Sequence, residues 1–302
     1  MGKFVQLIYN PMAGARIFPS KIDYFIEVFQ DKGYDVRIQR TKDASDFSTC
    51  LLEKDLTECE AIIVAGGDGS VNQIVNSMMK NDIDLPLGVI PAGTANDFAN
   101  HLGIPFNFSE CFELLAEMNI REIDVGKVNG EYFINVCCGG LFTNISQNID
   151  IELKNTIGKL AYYIKGVQQL PKFTRIRFKI DTGDEIIDDY FFLFLLLNGS
   201  SAGGFNKLAK DAVLDDGYMD FIGIKECALN YLPTLFRKII TGEHLDDKNV
   251  VFCQIKKMNI ECLEGLESFE ESDIDGELGP KFPLRIDVLQ KKLKVIGNCN
   301  VT

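Results

Sequence analysis

Residues 61–72 read AIIVAGGDGSVN, and the break inside this stretch decides the fold. The apolar run from Ala61 to Ala65 is too short for an ordinary helix and suits a strand buried on both faces. It runs straight into Gly66-Gly67-Asp68-Gly69-Ser70, and a helix is predicted from Val71 to Met79. The same grammar recurs at 86–99, PLGVIPAGTANDFA, with a strand, a break at Ala92-Gly93-Thr94 and a helix to about Leu102. Upstream, residues 3–10 form a short apolar strand ending at Asn10-Pro11, and a loop with Gly14 follows. Ile22, Phe25, Ile26 and Phe29 then recur at helical spacing, residues 34–41 read as a strand, and a helix is expected around 44–55. Strands alternating with helices imply a parallel, doubly wound sheet.

The texture changes near Asp124. Asn129-Gly130, a strong hairpin signal, lies between two apolar runs. Residues 173–180, 190–197, 217–224, 252–260 and 284–296 read mostly as strands, with helices near 157–170 and 228–241. The expectation is an α/β nucleotide-binding domain over 1–125 and a mainly antiparallel β-sandwich domain over 126–302.

Composition narrows the function. The chain has 302 residues, 46% of them hydrophobic and 25% charged, which is ordinary globular composition. Its net charge of −13 argues against nucleic acid as a partner, and against an anionic membrane except through a local basic patch. Nine cysteines with no CxxC pair suit neither a disulfide framework nor a zinc site. The N-terminal residues lack a signal-peptide pattern, and the best apolar run, at 190–197, is far shorter than the roughly 20 residues that cross a bilayer. A reduced, cytoplasmic, soluble protein is expected. With only His101 and His244 present, acid–base chemistry falls to carboxylates.

No P-loop exists, because Gly158-Lys159 is followed by Leu160, and Asn72 stands where a dinucleotide fingerprint needs its third glycine. What remains is two glycine-bearing loops, each following a buried strand and opening a helix. Backbone N–H groups at such helix starts suit a phosphate chain, and glycine lets the backbone approach it. One such loop is as readily a plain βα turn. Two in adjacent units, each with a hydroxyl (Ser70, Thr94) and a carboxylate (Asp68, Asp97), are more telling. Asp beside a phosphate cradle repels the ligand unless a divalent cation intervenes, so the pattern points to a Mg²⁺-nucleotide.

Asn10-Pro11 with Gly14, then GGDGSVN at 66–72, then PAGTANDFA at 91–99 resemble the nucleotide-binding signature of the diacylglycerol kinase catalytic-domain superfamily, and within it the soluble bacterial lipid kinases. Asp124-Val125-Gly126-Lys127, residues 212–220 (AVLDDGYMD) and Asp275-Gly276-Glu277 follow in the expected order, so the resemblance spans nearly the whole chain. GGDG alone is weakly specific; together with GTANDFA and a late DGE it is strong. Ser70 departs from the usual Thr but keeps the hydroxyl. The resemblance implies an ATP site between the domains lined by Asn10, Thr41, Gly66, Gly67, Asp68, Gly69, Ser70, Val71, Asn72, Gly93 and Thr94. It also implies catalytic roles for Asp68, Asp97 and Asp124 around Mg²⁺, with Glu277 as general base. A second, structural Mg²⁺ would be held by the Asp216 side chain and the carbonyls of Val213 and Tyr218. The implied reaction moves the γ-phosphoryl of ATP to a lipid hydroxyl, with diacylglycerol the first expected acceptor and sphingoid or ceramide acceptors left open.

Rival readings remain. A soluble-substrate kinase such as an NAD kinase shares GGDG. Gly199-Ser200-Ser201-Ala202-Gly203 fits the nucleophile elbow of serine hydrolases, with His244 downstream, although no helix is evident after Gly203. Residues 159–179 hold six basic and no acidic residues with an apolar stripe at helical spacing, which could meet an anionic membrane or pack within the domain. A peripheral, transient membrane contact is the expectation, and a homodimer is left open.

Overall fold

The structure, a computed structural model, describes residues 2–42, 46–52, 55–140, 175–203, 205, 207–265 and 270–298. The chain divides into two compact units, residues 1–125 with 290–302, and residues 126–289. The compact unit that begins at Gly126 ends at Leu289, and residues 290–302 group with the first unit. The reason lies in one long strand, β15 (Leu284–Ile296), whose C-terminal part buries Leu293, Val295 and Ile296 and pairs Val295 with Leu87 of the first unit.

In the first unit β1 (Phe4–Tyr9), β2 (Asp35–Arg40), β3 (Cys59–Gly66) and β4 (Leu87–Pro91) run parallel in the order β4-β3-β1-β2. All six β1 residues are buried, as are all five of β4, because helices cover both faces of a parallel sheet. Burying a Phe or Ile side chain contributes on the order of 1.5–3 kcal/mol. Helix α1 (Ile22–Asp31) brings Phe25 edge-on to Phe112 of α5 (Phe108–Ala116), with ring centroids 5.2 Å apart. The helix expected around 44–55 is, among the described residues, only α2 (Asp46–Thr49). Helix α3 (Asp68–Lys80) follows β3 and α4 (Asp97–His101) follows β4. β2 and β3 lie on opposite sides of β1, so the carboxyl ends of β1 and β3 mark the switch point where such sheets usually take a ligand.

In the second unit the strands pair antiparallel. β5 (Ile120–Val128) turns into β6 (Glu131–Phe133) through Asn129 and Gly130, both at positive φ (48° and 98°), the two-residue turn that the Asn-Gly pair predicts. β7 (Val136–Gly140), β8 (Ile176–Asp181), β9 (Ile186–Leu197) and β10 (Met219–Lys225) are followed by α6 (Leu232–Thr241). The segment 252–260 is not one strand. β11 (Val250–Ile255) pairs with β10, whereas β12 (Lys257–Glu264) pairs with β8 and β15, so the chain changes partner at Lys256. β13 (Glu271–Ile274) and β14 (Glu277–Lys281) complete a row β14-β13-β7-β9-β8-β12-β15.

β9 is apolar throughout 191–197 because both its faces are covered. Phe191, Phe194 and Leu196 join Phe133, Phe178 and Phe221 on one side; Phe192, Leu193 and Leu197 join Ile222, Ile224 and Leu235 of α6 on the other. The β9–β10 register slips between Leu193 and Phe191, which leaves Phe192 bulged and explains why two successive residues face the same side. The helix expected near 157–170 and all but the last residues of the basic stretch 159–179 lie outside the described residues. Arg177 and Lys179 belong to β8, where they pair with Asp188 and Glu261.

Candidate functional site

The carboxyl ends of the parallel strands carry the expected nucleotide-binding residues. Asn10 follows β1, and its side-chain oxygen accepts the Met12 N–H at 2.9 Å, which shapes the loop. Thr41 follows β2 and is buried; its hydroxyl donates to the Tyr9 carbonyl at 3.2 Å, so only its acceptor capacity is left for a ligand. β3 delivers Gly66 and Gly67 to the N-terminus of α3, whose first turn holds Asp68, Gly69 and Ser70, with Val71 and Asn72 buried behind. Asn72 is tied into the helix, accepting from the Asn76 side chain at 3.1 Å. Thr94 is exposed at the tip of the neighbouring loop.

The two glycine loops touch through their backbones. A Cβ on Gly93 would sit 2.4 Å from the Gly67 Cα, and one on Gly66 would sit 2.6 Å from the Ser70 Cβ. Gly14 approaches the same place: at φ +48° its Cβ would meet the Ala92 carbonyl oxygen at 2.3 Å. The close approach of these three loops therefore requires glycine at each position. Asn96, at φ 53°, clamps the second loop by accepting the Gly93 N–H at 2.8 Å and donating to the Gly93 carbonyl at 3.0 Å. The sequence marks Gly14 and quotes Asn96 only inside its motif; a motif shows which residues recur, not which carboxamide closes a loop.

Asp68 also ties the loops together, accepting the Phe98 N–H of α4 at 3.2 Å. Burial pushes its carboxyl up, the Phe98 N–H pulls it down, and the neighbouring Asp97 pushes it up again. None of the groups acting most strongly on it is cationic. An anion held against its preference beside a second carboxylate is what a bound cation would relieve. Asp124 is fully buried and accepts the Lys291 N–H at 2.7 Å, which fixes the start of the returning C-terminal segment. Among the described residues no group of three His, Cys, Asp or Glu side chains is arranged to hold a metal by itself.

The second unit places the other predicted residues on turns. Glu277 is exposed at the start of β14, directly after a two-residue turn, Asp275-Gly276, with both φ angles positive (53° and 85°). Asp216 closes a tight turn by accepting the Tyr218 N–H at 2.8 Å across Gly217 at φ +83°. The turn joins Asp216 to Tyr218, and Tyr218 and Val213 are both exposed. The Ser201 arrangement lacks its required context. Ser200 to Gly203 enters an isolated Ala202–Phe205 bridge, and the first helix after Gly203 among the described residues does not begin until the 229–241 segment. Ser201 and His244 are both buried. Among the described residues eight cysteines form no disulfide, and burial pushes the Cys111 thiol up to about 12, which suits packing rather than chemistry.

These loops and turns occupy the positions at which similar proteins can be compared. Residues 5–128 match the family description "Diacylglycerol kinase catalytic domain", and residues 140–297 match "YegS C-terminal NAD kinase beta sandwich-like domain". The diacylglycerol kinase of Bacillus subtilis (strain 168) is 33% identical over 295 residues, 97% of this chain and 96% of that one. The diacylglycerol kinase of Staphylococcus aureus (strain Newman) is 32% identical over 298 residues, covering 98% and 93%. The crystal structure of a diacylglycerol kinase from Bacillus anthracis str. Sterne superposes with a TM-score of 0.82 at 28% identity, covering 100% of this chain and 99% of that one. No helix among the described residues is long and apolar enough to cross a membrane. With the glycine loops, the late Asp-Gly-Glu turn and matches along the whole length in agreement, the chain belongs to the diacylglycerol kinase family and is a lipid kinase.

Proposed function

We propose that this kinase transfers the γ-phosphoryl of ATP, as its Mg²⁺ complex, to the free hydroxyl of a diacylglycerol, yielding phosphatidic acid. The observation that carries the reading is the backbone stack of Gly67 on Gly93 at the carboxyl ends of β3 and β4. It strips side chains from the place where a phosphate chain needs N–H donors, and it sets the N-terminus of α3 beside them. The acceptor comes from the relatives, whose names specify diacylglycerol.

The donor chemistry fits a divalent cation. Asp68, with Asp97 beside it, offers hard oxygen ligands, and Mg²⁺ is ordinarily held by one or two carboxylates together with water and substrate phosphates. When bound, the ion neutralises charge on the phosphoryl oxygens. In this reading Asp68, Asp97 and Asp124 orient it, Asn10, Thr41 and the two glycine loops position the nucleotide, and Glu277 takes the proton from the acceptor hydroxyl. Asp216, with the Val213 and Tyr218 carbonyls, holds a second, structural ion.

Radiolabelled ATP with Mg²⁺ and mixed micelles carrying single lipids tests this directly. The expected result is label in phosphatidic acid and none with EDTA. Label in a ceramide, a sphingoid base or NAD, with none in diacylglycerol, overturns the acceptor.

A further inference from the structure

The second unit contains a carboxylate whose bonding exceeds what a turn requires. Asp275 is 8% exposed, and its two oxygens accept three consecutive backbone N–H groups running into the start of β7: Ile134 at 2.9 Å, Asn135 at 2.8 Å and Val136 at 2.9 Å. Its own N–H donates to the Val136 carbonyl at 2.9 Å. An aspartate needs none of this to make a two-residue turn with glycine, since Asx and Gly residues adopt positive φ unaided.

The segment it grips is itself fixed. Asn198, just after β9, donates its N–H to the Asn135 carbonyl at 2.9 Å and its side-chain amide to the Ile134 carbonyl at 3.1 Å. On the other side of the turn, Asp273 accepts the Gly276 N–H at 2.9 Å, and Ile274 pairs with Glu277. One residue, Gly276, therefore separates a threefold anchored carboxylate from Glu277, whose side chain is exposed. Charge-assisted bonds to backbone N–H groups are short and directional, so they fix orientation as well as distance.

We propose that Asp275 is a positioning residue for phosphoryl transfer: its carboxylate locks the β13–β14 turn onto residues 134–136 and thereby sets where the Glu277 carboxylate is presented. The proposal rests on the reading of Glu277 as the base. Asn at position 275 keeps the turn's φ preference but puts an amide NH₂ against a backbone N–H, so it breaks the threefold grip while conserving shape.

Full-length D275N is expected to lose at least 30-fold in kcat with KM for ATP within about twofold of the parent. S272A, which removes the buried Ser272 hydroxyl bonded to Pro280 in the same hairpin, serves as the stability control and is expected to keep kcat within about twofold well below its melting temperature. If D275N does not fold, D275E tests the same point: it retains the charge, displaces it by a methylene, and is expected to lose kcat while KM for ATP stays put. The decisive comparison is the double variant. If Asp275 acts through Glu277, D275N has no further effect on the residual rate of E277Q. A D275N or D275E enzyme with kcat near the parent's, or a D275N effect as large in E277Q as in the parent, overturns the positioning role. Parent-like activity of E277Q alone instead removes Glu277 as base, a separate failure.

Discussion

The two turns proposed to carry the function are built on opposite principles. In the first unit, Gly66-Gly67 and Gly93 present bare backbone at the ends of parallel strands, and what matters is the side chains that are missing. In the second, Asp275-Gly276-Glu277 presents a carboxylate on a hairpin held by bonds to residues about 140 positions earlier in the chain. The difference teaches how each fails. A backbone cradle fails by steric intrusion, locally and at the binding step. A long-range hairpin fails by losing orientation, at the chemical step.

The largest effect is expected at the hairpin. Glu277→Gln removes the proposed base and should lower kcat by about 10³-fold, within the range for general-base loss, with nucleotide affinity kept. Kinetics with titrated ATP check this, and a tenfold weaker ATP affinity would blur the division between the two turns.

Gly93→Ala should act the other way. The new Cβ lies 2.4 Å from the Gly67 Cα and 2.9 Å from the Asn96 Oδ1, so one loop must move. Overpacking of this kind costs roughly 1–3 kcal/mol, and KM for ATP should rise at least tenfold. A KM unchanged in G93A would mean the backbone stack is not part of the nucleotide site.

The smallest effect separates the units by pH. His244 is buried in the second unit, and burial holds its imidazole below the ordinary value while the Leu208 and Lys238 carbonyls oppose the shift. A depressed folded-state pKa means the unfolded chain binds the extra proton first. Stability is therefore full above about pH 6.5 and declines as pH falls below it, by at most about 1.4 kcal/mol per pH unit. Thermal melts between pH 7 and 5 should show this slope for the parent and a shallower one for H244L. Equal slopes would assign the acid sensitivity elsewhere.

Much of the first unit was legible because its signals are local. The strand-glycine-helix grammar at 61–72 and 86–99 encodes strand, turn and helix within a few residues, and β3, α3, β4 and α4 lie where that grammar puts them. The second unit was legible as strands but not as partners. Nothing in 252–260 announces that β11 and β12 separate at Lys256 to join different neighbours, because partner choice is settled by contacts distant in sequence. Likewise Asp275 reads as an ordinary turn residue until residues 134–136 are placed against it.

By itself the sequence determined the alternation of strands and helices, the glycine positions and the family, since each depends on short-range geometry or on motif order. Only the tertiary structure decided that the chain from Gln290 returns to the first unit, that Asn96 clamps Gly93 and that Asp275 anchors the hairpin. Those outcomes rest on hydrogen bonds and packing that short-range sequence patterns do not contain. A backbone N–H offers the same donor whatever its side chain, so sequence cannot mark which carboxylate will find it.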